Sequence, residues 1–274
     1  MAGPRVDSCV LGQRPPDLAL SGATFRRDPL VMRPLASRAL ATALFAVAGA
    51  AVAIAAPAPA HQAVATRAAP AIKLMVVGRS RTLLSARSAQ LRSGTIRIGA
   101  RRCSVPSGTP LAGLLAERLS LGVTDAGGCD PSALFVTRIG PDRNHGIAGW
   151  QYKVGPVSPS FGAGDPGQRL RDGAQLLWFW CVRATACQRT LALKRTSSAV
   201  PAPGAVFTVT VVGYDDNGHA RPASGATVRL GGEVVTSGTG GVATLTAPGQ
   251  PGRYAITAVK SGLVPSFAIQ AQVR

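Results

Sequence analysis

Cys103, Cys129, Cys181 and Cys187 carry the richest chemistry in this chain, because a thiol can pair, ligate a metal or attack a carbonyl. No CxxC spacing occurs, and His61, His145 and His219 lie far from the cysteines along the chain, so a zinc site is not expected. An even set of cysteines in an exported chain reads instead as a pair of disulfides. Sequence does not select among the possible connectivities, though proximity favours Cys103 with Cys129 and Cys181 with Cys187. The first bridge would close a loop of about 25 residues, worth about 3 kcal/mol on the chain-entropy account.

Catalysis asks for paired carboxylates, a nucleophile beside a base, or a metal cluster. His145, near Asp142 and Asn144, is a candidate general base, but a histidine in a polar loop is more often simply solvated. Glu117 is expected on the exposed side of a helix. Asp215-Asp216-Asn217-Gly218 offers adjacent oxygens to Ca²⁺, yet the same residues spell a hairpin turn, and the turn is the stronger reading. The chain is therefore expected to be non-catalytic, with no cofactor and no metal.

Binding residues are easier to nominate. Trp150, Tyr152, Phe161 and Trp180 are candidates for stacking against a small molecule or a glycan. Core packing competes, since Leu176, Trp178 and Trp180 alternate with Leu177 and Phe179, giving a strand that is apolar on both faces and hence central. Arg79, Arg81, Arg97, Arg101 and Arg102, with Arg87 and Arg92 among them, make 79–102 strongly basic with no acidic residue. On alternating strands these point away from a core and attract anionic cell-wall polymers in a salt-sensitive way. The formal net charge of +18 agrees, although a preponderance of Arg over Lys also follows from a high-GC coding sequence. Nucleic acid is not expected, because no recognition helix, zinc finger or RNP-type aromatic pattern is present.

The elements that must hold these residues begin after an export signal. Met32 reads as the true start, leaving residues 1–31 and Cys9 as an upstream extension. Arg33 and Arg38 precede the small apolar run Leu40–Ala56, and Ala58-Pro59-Ala60 supplies the small residues a signal peptidase needs. Residues 32–60 are thus expected to be a signal peptide cleaved after Ala60, with a retained anchor as the alternative. The mature chain would be extracellular or on the cell surface, with no stable membrane span. A tether over 61–70 leads to strands at Ile72–Val77, Leu83–Ala86 and Gly94–Gly99. A helix follows over 111–122, with Ser107 or Thr109 as cap and Gly122 as stop. Strands at Ala133–Ile139, Trp150–Val154 and Gln175–Val182 complete a first domain of 71–193, mainly β with one main helix and β-grasp-like. Residues 194–203 read as a linker, and 204–274 as a small antiparallel β-sandwich of about six strands.

The stretch Gly149-Trp150-Gln151-Tyr152-Lys153-Val154, then Ser160-Phe161-Gly162-Ala163 and Leu170 to Trp178, resembles the transcobalamin C-terminal-like domain of unknown function. The chain has VGPVSPS where that family often has VNGK, and Gly173-Ala174-Gln175 where it often has GDE. The resemblance covers about residues 71 to 193. It implies a β-grasp-related fold, a secreted or surface setting and a ligand-binding role. Cobalamin itself is not implied, since the large helical toroid of the vertebrate carriers has no counterpart here. Residues 225 to 262 resemble bacterial immunoglobulin-like and carboxypeptidase-regulatory-like sandwiches, which implies a spacer or adhesive module.

Two functions follow as expectations. One is a non-catalytic binding protein for a small molecule or glycan. The other is a structural or adhesive envelope protein whose basic surface meets anionic wall polymers. Exposure of Trp150 and Tyr152 in a concave pocket favours the first, and burial of both favours the second.

Overall fold

The structure is a computed structural model that describes residues 68–184, 186–196 and 200–274. The start at Met32, Cys9, the signal segment and the tether up to residue 67 lie outside the described residues. The described residues all fall in one compact unit, so the two modules are parts of one body.

The protein is mainly β. The first module runs β1 (Ala71–Val77), β2 (Thr82–Gln90), β3 (Gly94–Ile98), β4 (Arg101–Val105), α1 (Pro110–Ala116), β5 (Leu121–Asp125), β6 (Leu134–Ile139), β7 (Asp142–Arg143), β8 (Gly149–Val154) and β9 (Gln175–Cys181). Its main sheet has the order β2-β1-β9-β8, with β1 and β9 parallel in the centre and the outer pairs antiparallel. The β3-β4 hairpin and the β5-β6-β7 ribbon cover one face of that sheet together with α1, and Leu74, Leu91, Leu111, Leu114, Leu134 and Ile139 are fully buried between them.

Helix α1 starts where expected and stops early. Thr109 Oγ1 accepts from Ala112 N at 3.3 Å, satisfying one of the free amides of the first turn. Pro110 follows at the first helical position, where its missing N–H costs nothing. Expected through Gly122, the helix ends at Ala116, because Arg118 takes a left-handed φ of 50° and Leu121–Asp125 pairs as β5 instead. A Cβ on Gly113 would lie 3.2 Å from both Leu176 and Leu91, so the bare glycine lets the helix sit close on the sheet.

The second module comprises β10 (Thr190–Arg195), β11 (Val206–Tyr214), β12 (Ala220–Pro222), β13 (Thr227–Leu230), β14 (Glu233–Thr236), β15 (Val242–Thr246), β16 (Gly252–Val259) and β17 (Ile269–Val273). Strand β11 is flanked by β10 on one side and by β12 and β15 on the other, and the facing sheet has the order β14-β13-β16-β17. The two sheets pack as a sandwich around Val209, Val211, Val228, Leu230, Leu245 and Ile256. Alternation of Val209 and Val211 with Thr208 and Thr210 along β11 produces this directly, since successive side chains face opposite sides of a strand.

The boundary between modules differs from the expected one. Thr190–Arg195 pairs antiparallel with Val206–Tyr214, so residues 190–193 belong to the sandwich and 194–203 is not an interdomain linker. The chain passes from one module to the other between Cys181 of β9 and Thr190 of β10 instead. The outer face of β1 and β9, carrying Met75, Val77, Leu177 and Phe179, packs with Val264 and Phe267 of the sandwich in a third core. That shared core explains why β9 is apolar on both faces: Leu176, Trp178 and Trp180 serve the first module, Leu177 and Phe179 the junction.

Candidate functional site

Trp150 and Tyr152 on β8 lie opposite Trp180 and Trp178 on β9. Trp150 and Trp180 meet edge to face with ring centroids 5.8 Å apart, and Tyr152 and Trp178 pack tilted at 5.2 Å. Two of the polar tips are satisfied internally. Trp150 Nε1 donates to the Asp142 carbonyl at 2.9 Å, and Tyr152 Oη donates to the Phe161 carbonyl at 2.7 Å. Trp178 Nε1 is buried with no hydrogen-bond partner. Burial, reinforced by Asp165, pushes the Tyr152 phenol up to about 12. Trp150, Tyr152 and Trp180 are 5%, 8% and 6% exposed, so these candidates for ligand stacking are core residues. Phe161, 49% exposed, is the one of the four that faces solvent. The period-two pattern places Trp150 and Tyr152 on one face, but only the covering β5-β6-β7 ribbon makes that face an interior.

The basic candidates are placed differently. Arg79 and Arg81 lie on the turn between β1 and β2, while Arg97, Arg101 and Arg102 lie on the β3-β4 hairpin, and all five are exposed. Arg97 stands directly across from Arg102, and Arg97 Nε donates to the Gly99 carbonyl at 3.1 Å across the turn. Arg101 pairs with Asp125 at 3.2 Å, whereas Arg102 makes no ion pair among the described residues. The hairpin is anchored from beneath, because Cys103 of β4 is bonded to Cys129 with Cα atoms 4.9 Å apart. Asp125 Oδ1 and Oδ2 accept the Cys129 amide at 3.0 and 2.9 Å, and Oδ1 also accepts from Gly127 N at 3.0 Å. Those amides, with Arg101 adding to them, hold the Asp125 carboxyl below its ordinary value. Cys103 Sγ, Cys129 Sγ and an Asp125 oxygen lie within 4.8 Å of one another, but the sulfurs are bonded together and the carboxylate is occupied, so this grouping is a structural clasp.

The polar candidates for chemistry are likewise spent on structure. Asp142 Oδ2 accepts from Arg79 N at 2.9 Å, and Asn144 Oδ1 accepts from Trp150 N at 2.9 Å. His145 is exposed in the tight turn before β8, exchanging backbone hydrogen bonds with Ala148, and makes no ion pair with a carboxylate among the described residues. Glu117 departs from expectation: its side chain is only 6% exposed and is ion-paired with Arg87, because the helix ends beside it and β2 passes over.

Asp215-Asp216-Asn217-Gly218 forms the turn between β11 and β12. Asp215 Oδ1 accepts from His219 N at 2.9 Å and Asn217 N at 3.1 Å, bonds that hold its carboxyl below the ordinary value. The same turn joins the modules. Lys153 of β8 is wholly buried, donates to the Asp215 carbonyl at 2.8 Å and the Tyr214 carbonyl at 3.2 Å, and pairs with Asp216 at 3.3 Å. Asp216 also accepts from Ser158 Oγ at 3.3 Å and from Cys187 N at 3.1 Å, next to the Cys181–Cys187 disulfide. Burial lowers the lysine pKa and Asp216 opposes that effect. Sequence reasoning missed Lys153 because a lysine on a half-apolar strand ordinarily faces solvent.

No helix among the described residues is long and apolar enough to cross a membrane. No protein-family description matches the chain, and no curated protein matches it.

Proposed function

We propose that this chain is an exported structural or adhesive display protein whose first module presents an arginine-rich surface to anionic wall polymers. The observation that carries the reading is the contrast in exposure. Three of the aromatic candidates are inside, while the arginines of the β1-β2 turn and the β3-β4 hairpin are outside, and of these five Arg101 alone is ion-paired, with Asp125, among the described residues. The β2-β1-β9-β8 order, with a central parallel pair and one helix, supports the β-grasp-like reading of the first module. Two disulfides support an oxidising compartment outside the cell. A buried lysine at the junction and a shared apolar core support reading the second module as a stand for the first.

Binding to a labelled polyglycerol phosphate, followed by fluorescence anisotropy at rising salt, tests this. Saturable binding that weakens with salt is expected, as for any attraction between exposed charges. Replacing Arg97, Arg101 and Arg102 together by Gln is expected to weaken it about tenfold, from the sum of exposed pair energies. Equal binding by that variant would remove the hairpin from the function.

A further inference from the structure

On one side of the sandwich both sheets end in an edge strand, β10 in one and β17 in the other. The chain before β17 begins to pair with β10 and then abandons it. Leu191 N donates to the Val264 carbonyl at 2.8 Å and Val264 N donates to the Arg189 carbonyl at 2.9 Å, a single parallel bridge at Thr190. Pro265 follows, and Ser266 N turns to the Ala258 carbonyl of the other sheet at 3.0 Å. In a strand, the N–H and C=O of one residue point the same way and those of the next point oppositely. Leu191 N–H points away from β11, so the Leu191 carbonyl and both backbone groups of Leu193 do so as well, along the lane that Val264 vacates.

A groove of about 220 Å³ lies in that lane. It is lined by residues 190–194 of β10 with Tyr214 of β11, by Phe267 and Ile269, and by Gly155, Pro156, Gln175 and Leu177 of the first module. Lys194 stands on the rim with Nζ 5.5 Å from the Tyr214 ring centroid, and it makes no ion pair with a carboxylate among the described residues. The volume is below the roughly 300–1,000 Å³ of pockets that enclose a drug-sized ligand. Free backbone groups in a row, an apolar floor and an unneutralised lysine instead match an extended peptide.

We propose that this lane docks a peptide strand with alternating acidic and apolar residues, added to the free edge of β10. Main-chain hydrogen bonds to the Leu191 carbonyl and to both backbone groups of Leu193 supply the register, as in other strand additions. Apolar side chains enter over Leu177, Phe267 and Ile269, and a carboxylate pairs with Lys194. A lysine in mid-edge discourages self-pairing. Together with a formal net charge of +18 on each copy, it selects an acidic partner over a second copy of this chain.

A fluorescein-labelled peptide of alternating Glu and Val tests the proposal with the full chain, read by anisotropy. Saturable binding is expected, and a peptide of the same composition interrupted by a central proline is expected to bind at least tenfold more weakly. Leu193→Pro deletes the outward N–H and is expected to abolish binding, while Leu193→Ala, which keeps it, retains binding. If Leu193→Pro does not fold by circular dichroism, charge reversal decides. Lys194→Glu is then expected to lose the Glu peptide and gain a Lys-Val peptide. Equal binding of the interrupted peptide, or an unchanged affinity in Lys194→Glu, overturns the proposal. So does a concentration-dependent dimer of the wild type that Leu193→Pro abolishes. The triple Gln variant of Arg97, Arg101 and Arg102 is expected to keep peptide binding, which separates this site from the polymer-binding surface.

Discussion

In the first module the interior is filled by Trp150, Tyr152, Trp178 and Trp180 and is tied by a disulfide between Cys103 and Cys129. In the second, the corresponding positions are Val209, Val211, Ala226, Ala243, Ala258 and Ala271, with no ring among the fully buried residues and no cross-link. The difference follows from regularity. The sandwich closes over long alternating strands that bring small side chains face to face, whereas the first module packs a short helix, a hairpin and a ribbon against one sheet and leaves irregular space for large side chains to fill. Irregular pieces also bury less surface each, which is where a covalent tie contributes most.

The junction provides the largest expected break in that comparison. Lys153→Ala deletes a wholly buried ammonium, leaving Asp216 to Ser158 and Cys187 alone and the Tyr214 and Asp215 carbonyls short of a donor, at about 1–3 kcal/mol for each group left unsatisfied. Calorimetry is expected to show the single transition of the wild type dividing into two, one per module. A single unshifted transition would mean that the shared apolar core alone couples them. Burial holds Lys153 below its ordinary value of 10.5, so between the folded and unfolded values the unfolded chain binds more protons and stability rises with pH. That rise is expected to vanish in the variant.

The next largest effect separates the modules by redox state. Made in the Lys153→Ala background, where the modules melt apart, Cys103→Ser with Cys129→Ser removes a bridge spanning 26 residues and is expected to cost about 3 kcal/mol, confined to the first module's transition. The sandwich contains no disulfide of its own, so its melting is expected to be unmoved by the double substitution. Equal destabilisation of both modules would show that the clasp acts through the junction.

Much of this arrangement was legible from local pattern. Alternation along β11, the Thr109-Pro110 start of α1 and the apolar run of β9 follow from neighbours within a few residues, and proximity along the chain favoured the two disulfides found without selecting them. What was not legible depends on residues distant in sequence. Trp150 and Tyr152 look like a binding face until the ribbon covers them, and Lys153 looks solvent-facing until the turn at Asp215 and Asp216 arrives from the other module. The run 190–204 has the composition of a linker, but Thr190–Arg195 finds its partner in Val206–Tyr214 once the chain has folded back.

A smaller effect probes the aromatic interior through pH. Tyr152→Phe removes the hydrogen bond to the Phe161 carbonyl and is expected to cost about 1–2 kcal/mol at neutral pH, typical of a buried acceptor left without its donor. The wild-type phenol titrates at about 12, against an ordinary value of 10.0. Between those values the unfolded chain has released the proton that the folded chain keeps, so wild-type stability falls as pH rises across that window. Denaturant unfolding at several alkaline pH values is expected to show this fall in the wild type and to show it diminished in Tyr152→Phe. An identical slope in both would place the alkaline sensitivity elsewhere.

The smallest expected effect concerns the helix that separates the two designs. Thr109→Ala removes the oxygen that accepts from Ala112 N and donates to the Pro106 carbonyl at 2.8 Å. Loss of a threonine cap typically costs about 1 kcal/mol. Because α1 packs on the first module's sheet through Leu111, Leu114 and Gly113, this loss is expected in the first module's transition alone when the modules are uncoupled by Lys153→Ala. Thr109→Ser keeps the oxygen and is expected to retain most of the stability. If Ser and Ala prove equally destabilising, the methyl group of this fully buried threonine matters more than its cap, and packing, not backbone satisfaction, fixes where the helix begins.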